Sequence, residues 1–331
     1  MFIIESYSTA VIFCFITMLC WGSWANTQKL TANNWRFELF YWDYVLGIVL
    51  LTLLFAMTLG STGESGRPFL EDLRQGSNEN LSSAFTGGVI FNAANILLTA
   101  AIAIAGMSVA FPVGIGLALV IGVIVNYMDA PVGNPSILFG GVACIAVAIV
   151  MNAYAFQKKS QGAQKPSMTG LLLSVISGSM MGLFYKYVAN SMSPDFTQPE
   201  IGKLTPYTAL FIFSLGIFAS NFVFNSLLMR FPISGMKVPV SAYFKGSFKN
   251  HLVGILGGCI WSIGMSFSIL ASEKAGPAIS YGLGQGATVV AAVWGIYVWK
   301  EFKDASSVIH KILNIMLAFY IIGLAIIIFS R

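Results

Sequence analysis

The chain has 331 residues, of which 56% are apolar and only 9% charged, with a formal charge of +5. Soluble domains carry about 25% charged residues, so a soluble globular fold is excluded. The few basic residues are scattered over many loops without interleaved aromatics, which excludes a nucleic-acid footprint.

Ten stretches reach the roughly 20 residues that a helix needs to cross a bilayer. They lie at 8–28, 38–59, 84–105, 107–127, 136–156, 168–190, 207–229, 250–271, 277–298 and 311–330. The expected fold class is an all-α membrane protein of ten transmembrane helices. The first span lacks a basic leader and a small-residue cleavage site, so it is read as retained. Toward its end Trp21, Trp24 and Asn26 are candidate substrate contacts, with packing between spans as the alternative. Span 2 opens on YWDY, which holds Asp43. An ionisable group inside a span is expensive and usually faces a cavity or a partner. Asp43 is therefore the candidate proton-coupling residue; the alternative is a carboxylate near the cytoplasmic interface, hydrated or paired with Arg36.

A polar segment at 60–82 carries Glu64, Glu71, Asp72 and Glu79 and reads as an external loop. In span 3, Asn92 and Asn95 share a helix face at i, i+3. They suit sugar hydroxyls or ureide amides, or hydrogen bonds between helices. Spans 3 and 4 meet in a tight hairpin at Gly106, and span 4 then reads AFPVGIG. Pro112 opens the backbone ladder there, and Gly114 and Gly116 permit close approach. Span 6 carries Lys186 near its outer end, either snorkelling to the interface or acting as a cavity charge paired with Asp43, Asp129 or the substrate. Trp261 lies deep in span 8 and is a candidate stacking residue. Spans 8 and 9 form a second tight hairpin around Glu273–Gly276, and span 9 reads SYGLGQG. Here Gly284 and Gly286 flank Gln285, whose amide gains little from facing lipid. Tyr281 and Gln285 are the candidate ligands of this half, while Trp42 and Trp299, near span ends, read as interfacial belt residues.

Cys14, Cys20, Cys144 and Cys259 sit in apolar runs without C-x-x-C spacing and read as free buried thiols. No cluster of histidines and acids lies at depth, so neither a metal site, a cofactor nor a membrane enzyme is expected.

An internal echo organises these spans. Gly87, Gly88, Ile90, Ala101, Ala105, Gly106, Gly114, Gly116, Val120, Val123 and Tyr127 recur as Gly257, Gly258, Ile260, Ala271, Ala275, Gly276, Gly284, Gly286, Val290, Val293 and Tyr297. These eleven identities exceed the roughly three that composition alone gives. Five spans per half is an odd number, so the second half enters the membrane from the opposite face. The expectation is two inverted five-helix repeats, at 1–157 and 168–331, joined by a central cytoplasmic linker at 158–167. A weaker echo matches Gly22 to Gly182. Loops after odd-numbered spans hold twelve Lys and Arg residues against five on the other side. That bias puts the first set in the cytoplasm and both termini outside, in a cell (inner or plasma) membrane.

The chain resembles the drug/metabolite transporter superfamily, in the branch of ureide permeases and glucose/ribose and rhamnose–proton porters. The resemblance rests on CWGSWANTQKL, FELFYWDYVLG, FPISGMKVPVSAYFKGSFKNHLVGILGGCIWSIGM and AGPAISYGLGQGATVVAAVWGIYVWKEF, with Glu301 where the superfamily often has an acid. It implies a secondary transporter, not an enzyme. Plant ureide permeases carry a nucleotide-binding-like motif in a long central loop; the short 158–167 segment has none, so ATP-driven transport is not implied. The sequence reading is a permease that takes up a small neutral polar metabolite, first a monosaccharide, by proton symport. A ureide permease and a proton-antiport exporter are the alternatives. Its partners are the lipid bilayer, the substrate and protons, with a homodimer allowed.

Overall fold

The computed structural model describes residues 1–32, 35–105, 107–159, 167–232, 235–300 and 302–331. Gly106, Glu301 and the side chain of Pro112 lie outside the described residues. Helices dominate because lipid offers no hydrogen bonds, so each spanning segment must satisfy its own backbone. In chain order they are α1 (Tyr7–Ser23), extended by a 3-10 tail at Trp24–Leu30, then α2 (Phe37–Met57), α3 (Phe69–Gln75) and α4 (Asn78–Ala105). They continue as α5 (Met107–Asp129), α6 (Pro135–Lys159), α7 (Met168–Ser191), α8 (Pro206–Arg230) and α9 (Phe248–Ala275). Span 9 divides into α10 (Pro277–Gly284) and α11 (Ala287–Val293), followed by a π-turn at Trp294–Val298, and α12 (Ser307–Ile328) ends the bundle. Among the described residues, nine helical stretches are long and apolar enough to cross a membrane, and α5 adds the apolar stretch Val113–Asp129. The only extended pairing among those residues is an isolated bridge between Met192 and Leu204.

Polar residues start the helices where the chain leaves the apolar zone. Ser6, Ser247 and Ser306 accept the amides of Thr9, Asn250 and Ile309, supplying the missing acceptors of a helix N-terminus. The hairpin between α9 and α10 follows from two adjacent residues. Gly276 adopts φ +85°, which residues with a Cβ rarely do, and Pro277 has the preset φ of a first helical position.

Between helices, small residues set the spacing. α4 packs along α7 and α8, α9 along α1 and α2, and α6 along α12. A Cβ on Gly88 would overlap the Phe213 carbonyl on α8, and one on Gly258 the Tyr44 carbonyl on α2. Gly216 likewise abuts Phe85, and Gly47 abuts Ile255. Two hydroxyl bonds form a matching set: Thr17 Oγ1 donates to Gly264 O, and Ser177 Oγ to Ala94 O, each at 2.8 Å. Ile12, Leu19, Val150 and Ile321 stay exposed on the outer faces, the surface a bilayer covers.

The 60–82 segment is more ordered than an external loop of scattered acids. It forms α3, and Asp72 is fully buried rather than solvated. Arg67 Nη1 lies 2.8 Å from Asp72 Oδ1, while Thr205 N and Oγ1 donate to Oδ2 at 2.8 and 3.0 Å. Arg67 Nη2 also donates to Pro199 O at 2.8 Å, clamping this segment to the α7–α8 connection.

Candidate functional site

The interruption of span 9 builds one wall of the site. Gly286 N bonds Leu283 O, and Val289 N bonds Gly286 O, both at 2.9 Å and three residues back, so the turn around Gln285 is tightened. After α11 the winding loosens into the π-turn, a feature frequent at functional sites. Trp294 and Trp299 are thereby brought to the tail of α1, where their indole nitrogens donate to Ser23 Oγ (2.9 Å) and Asn26 Oδ1 (2.6 Å). Gly284 lets the Trp21 ring pass, since a Cβ there would come within 2.9 Å of it.

Between this interrupted helix, the tail of α1, and α4, α6, α7 and α9 lies a cavity of about 330 Å³. Small-molecule sites start at about this size. Its walls are aromatic: Trp21 stacks on Trp261 (6.0 Å, 15°), Phe91 lies 4.5 Å from Trp261, and Phe184 completes the group. Trp21 Nε1 donates to Trp261 O at 3.2 Å, which fixes the stacked pair. The polar lining consists mainly of the amides of Asn26, Asn95, Asn152 and Gln285. Asn95 Nδ2 donates to Tyr41 OH at 3.0 Å, keeping its carbonyl as an acceptor. Asn152 Oδ1 is buried without a hydrogen-bond partner among the described residues, an unmet acceptor that a ligand could satisfy. Among the described residues the lining holds one charge, Lys29, whose Nζ sits 4.2 Å from the Trp299 ring centre.

Trp21, Trp24, Asn26, Asn95, Trp261 and Gln285, singled out from sequence, all line this cavity. Two other expected ligands do not. Asn92 is fully buried in helix packing, accepting from Tyr41 OH (2.9 Å) and donating to Ser220 Oγ (2.9 Å). Tyr281 is also fully buried, donating to Ala118 O and Met181 O at 3.2 and 3.1 Å. Lys186 is outside the lining, 3.0 Å from Asp129. α5 keeps helical winding through Pro112, Gly114 and Gly116, so the break expected in the first half is limited to the hydrogen bond that Pro112 cannot donate. Among the described residues the change of winding lies in the second half, between Gly284 and Gly286. Trp299 lines the cavity instead of serving only as a belt residue. Sequence reasoning passed over Asn152, although a primary amide inside an apolar span is the same signal that marked Gln285.

Asp43 lies beside the cavity wall, not in it. Its side chain is 1% exposed and accepts Tyr243 OH at 2.5 Å, and His251 Nδ1 lies 3.0 Å from both oxygens. The expected partner Arg36 pairs with Glu38 instead. Burial and the adjacent carboxylate push the Tyr243 phenol well above the usual tyrosine range, which keeps it a proton donor to Asp43. Next in the chain, Tyr44 packs its ring 4.5 Å from the Trp24 ring of the cavity wall.

An all-helical, multi-pass bundle around a solute-sized cavity is the build of membrane transport proteins. A sequence profile described as "Ureide permease" matches residues 40–167 and 157–330, two segments that overlap at 157–167. The chain belongs to the ureide permease family and is a membrane permease. It is 23% identical to ureide permease 1 of Arabidopsis thaliana, covering 100% of this chain and 99% of that one. It is 23% identical to probable ureide permease A3 of Vigna unguiculata, over 83% and 91% of the two chains. A crystal structure of another protein superimposes with a TM-score of 0.63 over 96% of each chain at 14% identity, a likeness of fold alone.

Proposed function

We propose that this permease carries a small, neutral, planar ureide by alternating access between two inverted five-helix halves, coupled to protons. The observation that carries the substrate reading is the pairing of three primary amides, Asn95, Asn152 and Gln285, with the stacked indoles Trp21 and Trp261. Each amide offers a donor and an acceptor, matching the adjacent N–H and C=O groups of a ureide, and an indole face suits a flat ring. The names of the relatives favour this ligand over the monosaccharide that the sequence reading put first.

The paired contacts of Gly88 and Gly258, and of Thr17 and Ser177, support the two-half reading with ten spans. With the lysine-rich end in the cytoplasm and both termini outside, the cavity faces inward. Asp43 is the proton carrier in this scheme, and His251, 23% exposed, is its route to water. One proton driven by 100 mV supplies about 2.3 kcal/mol.

Uptake of a labelled hydantoin-ring ureide and of a labelled monosaccharide into proteoliposomes, with and without an imposed pH gradient, tests the proposal. Saturable ureide uptake accelerated by an inward proton gradient is expected. Sugar uptake without ureide uptake would overturn the substrate reading, and indifference to the gradient would overturn the coupling.

A further inference from the structure

The contacts that pair the two halves also relate the open cavity to a closed place elsewhere in the bundle. Thr17 and Gly264 answer Ser177 and Ala94, and the Gly258–Tyr44 contact answers Gly88–Phe213. This correspondence carries α1 onto α7, α4 onto α9, and α5 onto α10 and α11. Applied to the cavity wall, it takes Trp21, Leu98, Thr288 and Ala292 to Met181, Ser268, Ala118 and Gly122.

At those image positions the structure is closed. Tyr281 fills the space against three of them, its hydroxyl on Ala118 O and on Met181 O, a residue shared with the open cavity, and its ring against Gly122 where any Cβ would overlap it. Behind it, Ser268 Oγ and Ser280 Oγ lie 3.1 Å apart, and Tyr185 OH donates to Ser268 O at 3.2 Å. Tyr185, Ser268, Ser280 and Tyr281 are all fully buried. This joint is held by hydroxyl-to-backbone bonds as well as by apolar contact. Water or a polar solute can replace such bonds without leaving a buried group unpaired, which interlocked leucines could not offer.

We infer that the hydroxyl cluster of Tyr185, Ser268 and Ser280, closed over by Tyr281, is the far half of the transport path and a second subsite for the same neutral, hydrogen-bonding solute. The inference rests on the permease reading and its paired halves. Tyr281 is the gate, latching α10 to α5 and α7; its release opens the cluster toward the face opposite the lysine-rich end.

Cys14 reports on the joint, because its Sγ lies 3.7 Å from Ser280 Oγ. With Cys20, Cys144 and Cys259 replaced by alanine, Cys14 in proteoliposomes is treated with a membrane-impermeant maleimide added to either face. Tyr281→Phe keeps the ring and removes the single hydroxyl donor shared by Ala118 O and Met181 O, so it should raise labelling from the far face about ten-fold. The hydantoin-ring ureide should slow that labelling. Equal rates with and without the hydroxyl, or labelling only from the lysine-rich face, would overturn the inference. Should Tyr281→Phe fold poorly, Ser268→Cys in a Cys14→Ser background is read in its place, by ureide protection from the far face. Faster labelling by Tyr281→Phe with no effect of the ureide would keep the gate and overturn the shared subsite and its ligand class.

Discussion

Replacing Gln285 by leucine removes the one amide of the interrupted helix while leaving its turn intact. The turn is held through the main-chain groups of residue 285, whose N donates to Tyr281 O at 3.1 Å and whose O accepts from Thr288 Oγ1 at 3.0 Å. Neither bond needs the glutamine side chain, which is 8% exposed and lines the cavity. In the occupied site the amide can supply two neutral hydrogen bonds, each worth about 0.5–1.5 kcal/mol. Their loss amounts to about 1–3 kcal/mol, or roughly 5- to 150-fold weaker binding. Ureide KM in proteoliposomes and thermal unfolding in detergent measure the two sides of the argument. KM should rise at least about five-fold while Tm moves by less than about 2 °C. Asn92→Leu is the comparison: it breaks packed bonds to Tyr41 and Ser220, one step removed from Asn95 of the lining, so it should lower Tm and raise KM far less than Gln285→Leu. An unchanged KM in Gln285→Leu refutes the reasoning, as does an Asn92→Leu protein that is stable but binds weakly.

Asp43→Asn keeps an acceptor for Tyr243 but removes the carboxylate beside His251; pH-driven accumulation should vanish while downhill exchange continues, measured with the same vesicles. Arg67→Met leaves Asp72 buried and unpaired, which should cost about 3–5 kcal/mol and appear as a marked fall in Tm. Gly88→Val and Gly258→Val each force a side chain into a carbonyl of the facing helix. Both should sharply reduce the folded yield, and by similar amounts if the two contacts are equivalent.

Spans were legible in the sequence because lipid imposes one length and one composition on any helix that crosses it. The boundaries fall within a few residues of expectation except at α4, which starts at Asn78 inside a segment that reads as loop. α3 was invisible for a related reason: it is short and charged, and packing of Asp72 against Arg67 and Thr205 holds it, not periodicity. In the site, Gln285 and Asn95 stood out as amides in apolar surroundings. Asn92 looked identical from sequence, because three residues along a helix separate a cavity wall from a packed interface. The Asp43 cluster was legible only as an isolated carboxylate. Tyr243 and His251 lie 200 and 208 positions away in sequence, and no local pattern links them.

Lys29 Nζ over the Trp299 ring, Trp299 Nε1 on Asn26 Oδ1 and Trp294 Nε1 on Ser23 Oγ tie the tail of α1 to the end of the interrupted helix at three points. A displacement of either wall of the cavity therefore carries the other with it, and the two behave as one hinged panel.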